Sequence, residues 1–228
     1  MNKTIRFDVL PQGCEVKRPK TTPINPVERK GPVKTLHGLS DYYTEHRAHI
    51  DSIILSQARA IVLGDSIAAG LSRYPEVWKS HLEPPNDISC GIGGDGAENV
   101  LWRADNLYLP GSVLVAVILV GVNNMDRNEA GDVAATIMSS AAKLREKHSH
   151  LHVVITGILP KGRQESSLRI RIRQTNALLR YQCRKLPYLS FLEQSSEWTT
   201  DSGLLNKNVF FRDHLHLIKG GMTFLRDS

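Results

Sequence analysis

From Ala60 onward the hydrophobic positions switch repeatedly between two rhythms. Short apolar runs predict buried strands at Ala60–Leu63, Asp87–Ile92, Val113–Val120, Leu151–Leu159 and Tyr188–Leu192. The first ends at Gly64 and the fourth is stopped by Pro160. Between the strands, apolar residues recur every three or four positions and predict helices. These cover Ile67–His81 (Leu71, Tyr74, Val77 and Trp78 on one side), Ala97–Leu107, Ala130–Lys147 (Val133, Ile137, Ala141, Leu144) and Gln164–Lys185 (Leu168, Ile172, Leu179, Cys183). A helix over Ser40–Gln57 precedes them, its apolar side marked by Tyr43, His46, Ile50, Ile53 and Ile54. Strand and helix alternate with short joints, the pattern of a parallel sheet covered on both faces. The expected fold is α/β, a three-layer α/β/α sandwich on a five-stranded parallel sheet. There is no internal repeat and no heptad run long enough for a coiled coil.

The first forty residues follow neither rhythm. Pro11, Pro19, Pro23, Pro26 and Pro32 are interleaved with Lys17, Arg18, Lys20, Arg29, Lys30 and Lys34, which predicts an extended basic arm or linker over 1–40 ahead of a domain over 41–228. The formal charge of +6 permits attraction to nucleic acid or an anionic membrane surface without requiring it. Cys14, Cys90 and Cys183 lie far apart and form no CxxC, which argues against a disulfide framework or zinc module and for an intracellular, reducing setting in cytoplasm or nucleus. The first ten residues, MNKTIRFDVL, lack a signal-peptide core, and the longest apolar run, Val113–Val120, is far below the ~18 residues a membrane span needs.

In a parallel sheet, ligands collect beyond the carboxyl ends of the strands. There the sequence places Gly64-Asp65-Ser66 after the first strand, a glycine loop through Gly94 after the second, and Gly121-Val122-Asn123-Asn124 after the third. Arg212-Asp213-His214-Leu215-His216 follows the fifth. A serine, an Asp and a His three apart, and amide donors form the set that acyl transfer needs: nucleophile, oriented base and oxyanion donors. The glycine loop, CGIGGDG, also contains G-x-G-x-x-G. The dinucleotide reading fails on context, because the loop follows the second strand and the next strand ends in Asn123 rather than an acid that could hold a ribose.

These blocks, GDSI (Gly64–Ile67), the loop ending at Gly94, GVNN (Gly121–Asn124) and DHLH (Asp213–His216), resemble in order and spacing the SGNH (GDSL-type) hydrolase superfamily, over roughly three quarters of the chain. GIGGDGAENVLWR and RYPEVW resemble its platelet-activating-factor acetylhydrolase subgroup. Together with GILP and the GLLN before FFRDHLHL, they resemble more closely the esterase domain in the first-reading-frame protein of LINE-type retrotransposons. The resemblance implies a flavodoxin-like fold and a serine esterase without cofactor or metal, its substrate a small ester or lipid. It implies Ser66 as nucleophile, His216 as base and Asp213 as the residue orienting that base. Gly94, through its bare backbone, the Ser66 amide and the Asn123 side chain would form the oxyanion hole. The positive end of the helix beginning at Ser66 would favour the developing anion. Many superfamily members carry G-x-N-D in the third block; Asn124 replaces that Asp, as in the acetylhydrolase subgroup. Short connections leave little chain for a lid, so short acyl groups are expected, acetyl above all, with Ile67 and Leu215 near the acyl pocket. The resemblance allows self-association of a full-length retroelement protein, since such proteins usually bring a self-association segment or a nucleic-acid module; neither is evident in this sequence.

Several residues have blander readings. Ser66 is placed as a helix N-cap would be, and Asp65 reads as structural. His214 competes with His216 but is too close to Asp213 to share its turn. His148, His150 and His152 alternate as HSHLH without a carboxylate or Cys cluster to complete a metal site. Trp78 and Trp102 fall on apolar helix faces. Arg169, Arg173, Arg180 and Arg184 could give the helix over 164–185 a face for nucleic acid or anionic lipid; a solvated helix face is the plainer reading.

Overall fold

In the computed structural model, which describes residues 22–30, 32–35, 38–78 and 87–227, the first regular elements are an antiparallel hairpin, β1 (Pro32–Thr35) and β2 (Gly38–Asp41). Asp41 then caps α1 (Tyr42–Ser56), accepting from the Thr44 amide at 2.9 Å. The hairpin carries chain across position 40, and residues 22–30 lie against the body of the protein.

The remaining elements alternate: β3 (Ala60–Gly64), α2 (Ser66–Leu71), α3 (Pro75–Trp78), β4 (Ile88–Gly91), α4 (Ala97–Asp105), β5 (Val115–Leu119), α5 (Ala130–Lys147), β6 (His152–Thr156), α6 (Ser167–Cys183), β7 (Leu189–Leu192) and α7 (Lys219–Asp227). The five strands β3 to β7 form one parallel sheet in the order β4-β3-β5-β6-β7. β3 pairs on both edges, Leu63 opposite Cys90 on β4 and Ile118 on β5. α4, α5 and α6 pack side by side, while α2, α3 and α7 form a second group, the two-sided covering that right-handed crossovers give this strand order. The fold expected from the alternation is the fold observed.

The helix-period residues lie where the pattern puts them. Val133, Ile137, Ala141 and Leu144 of α5 are buried, as are Ile172, Leu179 and Cys183 of α6. Each large apolar side chain so buried contributes about 1.5–3 kcal/mol. Two expectations are corrected. The single helix over Ile67–His81 breaks into α2 and α3, because Pro75 has no N–H to continue a helix and constrains Tyr74 before it. Residues 79–86 of that expectation lie outside the described residues. In α1 the buried face is rotated by one position. Tyr42, His46 and Ile53 are buried, whereas Tyr43 and Ile54 face solvent, because α1 packs its polar-aromatic side against α4.

Candidate active site

The predicted residues of three adjacent strand ends and one distant turn come together. Ser66 opens α2 directly after β3, but it is not the cap. Asp65 accepts from the Ile67 amide at 2.8 Å and caps α2 instead. The Ser66 hydroxyl is therefore free for another partner, and it meets Nε2 of His216 at 2.9 Å. The His216 Nδ1 lies 2.7 Å from Oδ2 of Asp213, whose Oδ1 accepts from the backbone amides of Leu215 and His216, each at 3.0 Å. Burial pushes the Asp213 carboxyl up, yet the hydrogen bonds from the His216 ring and these two amides outweigh it and hold it below its ordinary range. α2 has only six residues, so a summed helix dipole, expected from the sequence, is small here.

The turn that presents Asp213 and His216 is closed by a bridge between Phe210 and Leu217 and by Phe211 donating to the His216 carbonyl at 2.8 Å. His214, the competing histidine, occupies the turn's left-handed position at φ 56°, and its carbonyl accepts from the Gly162 amide. α7 then ties the turn to the serine's helix. Met222 fills the space beside Gly70, and Lys219 pairs with Glu76 at 2.9 Å.

The glycine loop lies next to Ser66 because β4 neighbours β3. At its start a Cβ on Gly91 would fall 2.0 Å from the Ala69 amide nitrogen, so only glycine lets α2 approach β4 this closely. Gly94 sits at φ +84°, a backbone shape that side chains disfavour. Asn123, in the 3-10 turn Val122–Asn124 after β5, donates from Nδ2 to the Asp95 carbonyl at 2.9 Å and so lies against the same loop. The N-terminal amides of α4 are already occupied: Gly96 donates to Asn99 Oδ1 and Ala97 to Asn124 Oδ1, both at 2.8 Å. A phosphate would have to displace both side chains, which supports setting the dinucleotide reading aside.

Comparison with known proteins shows the family and the fold. Residues 62–223 match the sequence profile of the GDSL-like lipase/acylhydrolase family. The chain belongs to that family. It is 28% identical over 200 residues to subunit alpha1 of human platelet-activating factor acetylhydrolase IB, covering 87% of this chain and 85% of that protein. Among solved structures, it resembles a GDSL-like lipase from Bacteroides thetaiotaomicron, with a TM-score of 0.64 at 19% identity over 82% of this chain and 92% of the other. It also resembles the acetyl xylan esterase AlAXEase, with a TM-score of 0.61 at 18% identity over 74% and 96%. These two likenesses concern the fold.

Beneath the glycine loop this GDSL-like acylhydrolase carries a buried polar network that the motifs did not reveal. Arg103 of α4 is fully buried. It donates to the carbonyls of Gly64 (3.3 Å) and Cys90 (2.5 Å), thereby tying the ends of β3 and β4, and pairs with Asp95 Oδ2 at 3.1 Å. Burial raises the Asp95 pKa to about 6 against the pull of Arg103, and raises that of Asp65 to about 7. Burial, with the Arg103 cation beside it, lowers His49 to about 3, so the neutral ring accepts from Arg103 at 3.3 Å through Nδ1. Losing one member would leave an uncompensated charge in the interior. A signal for Arg103 was present: it interrupts the apolar face of Val100, Ala104 and Leu107.

The departure from G-x-N-D has a structural reason. Asn124 is fully buried and donates from Nδ2 to Glu98 Oε2 at 2.7 Å and to Asn128 Oδ1 at 3.0 Å. Glu98 also pairs with Arg127. An aspartate at 124 would set two carboxylates against each other. Asn124→Asp is expected to destabilise the protein by roughly 2–3 kcal/mol in urea unfolding, the scale of a lost hydrogen bond to a charged group. Glu98→Gln in the same chain should restore most of that loss; equal stability of Asn124→Asp and wild type would contradict the pairing.

The other sequence candidates have ordinary partners. His150 contacts the Val113 carbonyl at 3.0 Å and His152 the Ser190 hydroxyl at 2.8 Å. Among the described residues no group of three or more His, Cys, Asp or Glu could hold a metal ion. Arg169 is not on a solvated face but buried, donating to the carbonyls of Lys161, Gly162 and Gly203. Arg173 and Arg180 pair with Glu165 and Glu193. Ile67 is buried and Leu215 half-buried against the core. Trp102 packs on Tyr42 and His46; the side chain of Trp78 lies outside what is described. Two cavities, of about 280 and 330 Å³, lie along α6 and β7 and share no lining residue with the serine–histidine cluster. No helix among the described residues is long and apolar enough to cross a membrane.

Proposed function

We propose that this acylhydrolase is a serine esterase that removes short, acetyl-type acyl groups. The observation that carries the reading is the unbroken chain Ser66 Oγ–His216 Nε2–His216 Nδ1–Asp213 Oδ2, at 2.9 and 2.7 Å, joining groups 150 residues apart. His216 takes the hydroxyl proton as Ser66 attacks the ester carbonyl, and Asp213 stabilises the imidazolium that results. The amides of Ser66 and Gly94 and the Asn123 side chain donate to the oxyanion. Collapse of the tetrahedral intermediate transfers the proton to the leaving alcohol and leaves an acyl-serine. Water, deprotonated by the same imidazole, then releases the acid and restores the hydroxyl.

The acetyl preference is supported by the short joint between β3 and α2, by Ile67 and Leu215 beside Ser66 and His216, and by the word acetyl in the names of the human relative and the xylan esterase. We place the chain in a LINE-type element on the resemblance of RYPEVW, GILP and the segment from GLLN to FFRDHLHL. An intracellular setting fits the buried thiols Cys90 and Cys183.

A serine-directed phosphonate should label wild type once, at Ser66, by peptide mass spectrometry. Across p-nitrophenyl esters, kcat/KM should be highest for acetate and fall at least about tenfold for acyl chains beyond about eight carbons, a step that one or two misfitted methylenes suffice to produce. Labelling at another residue overturns the nucleophile; a preference for the long chains overturns the acetyl assignment.

A further inference from the structure

We propose that Arg29, delivered by the segment ahead of the hairpin, is a positioning residue that fixes the oxyanion-hole peptide; this rests on the esterase reading above. The carbonyl of Gly93 and the N–H of Gly94 belong to one planar trans peptide and point in opposite directions. Arg29 Nη1 donates to the Gly93 carbonyl at 2.5 Å. Its guanidinium lies against Gly94, 3.0–3.4 Å from where a Cβ would stand, and 3.6 Å from Asp95 Oδ1. A cation holding the carbonyl end turns the amide end away from itself.

That peptide needs holding. It lies between two glycines, so its φ and ψ are the least restricted in the loop, and a flip would put a carbonyl where the oxyanion must sit. The next amides are fixed by other partners: Asp95 donates to the Ile92 carbonyl, Gly96 to Asn99 and Ala97 to Asn124. Arg29 supplies the missing restraint for the glycine-loop peptide that donates to the oxyanion. A charge-assisted bond to the carbonyl also polarises the peptide, which strengthens its N–H as a donor.

The delivering segment is built in. Ile24 donates to Thr136 Oγ1 at 2.8 Å, on α5. Val27 donates to the Glu98 carbonyl at 3.1 Å and accepts from Asn99 Nδ2 at 2.8 Å, on α4. Asn99 thus ties the arm with one end of its amide and the loop, at Gly96, with the other. Residues read from the sequence as a linker carry part of the site's framework.

The test uses the full chain and p-nitrophenyl acetate. Arg29→Ala and Arg29→Gln should lower kcat about 10- to 100-fold, somewhat less than the loss from deleting a donor outright, which is on the order of 10²–10³. KM should stay within about twofold, because the acetyl ester has no anionic group for Arg29 to bind. The acid limb of the pH profile should stay in place, since the base is untouched. Arg29→Lys should retain part of the rate, added guanidinium should restore part of the Arg29→Ala loss, and Lys30→Ala should match wild type. An unchanged kcat in folded Arg29→Ala overturns the proposal, and so does a rise in KM at constant kcat, which would mark a substrate contact. If the alanine variant does not fold, Arg29→Lys decides: full activity with no displacement of the Gly94 amide resonance counts against the role. If wild type turns over no ester, the esterase reading fails separately, and the peptide's orientation is still read from that resonance. It should move in Arg29→Ala, and an unmoved resonance overturns the proposal.

Discussion

Ser66→Ala is expected to reduce ester turnover by about 10⁵–10⁶ while leaving the protein folded. The size follows from the site's construction. The hydroxyl is the group in contact with the His216 ring, and no second nucleophile takes part in that hydrogen-bonded chain. The fold should be indifferent because Asp65, not Ser66, caps α2. Removing one partly exposed hydroxyl that caps nothing should change stability by no more than about 0.5 kcal/mol. Steady-state rates on p-nitrophenyl acetate, with a thermal melt of each protein, check both halves. Turnover within about a hundredfold of wild type would remove Ser66 as nucleophile, because a deleted nucleophile leaves only the far smaller contribution of binding and oxyanion donors.

Asp213→Asn is expected to cost about 10⁴ in kcat, more than its small change in shape suggests. The two backbone amides that point at Oδ1 decide why. They accept no proton and can only donate, so an asparagine must turn its oxygen toward Leu215 and His216 and its NH2 toward the ring. The ring nitrogen facing that NH2 must then accept, which moves the imidazole proton to Nε2 and leaves it unable to take the serine's. The variant should fold normally, and its Ser66 should react with a phosphonate far more slowly than wild type. A loss below about tenfold would mean that His216 does not depend on this carboxylate for its tautomer.

Much of this site was legible because each motif is short and sits where a strand ends. The apolar runs located the strands, the sheet's chemistry located their carboxyl ends, and the polar residues there were few enough to name. What stayed hidden was whatever depends on contacts between distant segments. Arg29 lies 64 positions from Gly93, in a stretch whose prolines and lysines suggest a linker, and no periodicity connects the two. Asn124 looked like a departure from a motif until Glu98 appeared opposite it. Arg169 belongs by spacing to a basic helix face, yet three carbonyls of neighbouring loops draw it inside. The helix over Ile67–His81 broke where Pro75 stands, a boundary the sequence offered but apolar periodicity overrode.

The strand order divides the sheet's upper edge into two territories. Ser66, the glycine loop and Asn123 follow the neighbours β3, β4 and β5, whereas Asp213 and His216 lie on a turn the chain reaches only after β7, at the far side of the sheet. The Ser66–His216 contact is therefore a seam between the early and late parts of the chain: loosening the packing of the last helix on α2 would part base from hydroxyl while the strands beneath Ser66 keep their places.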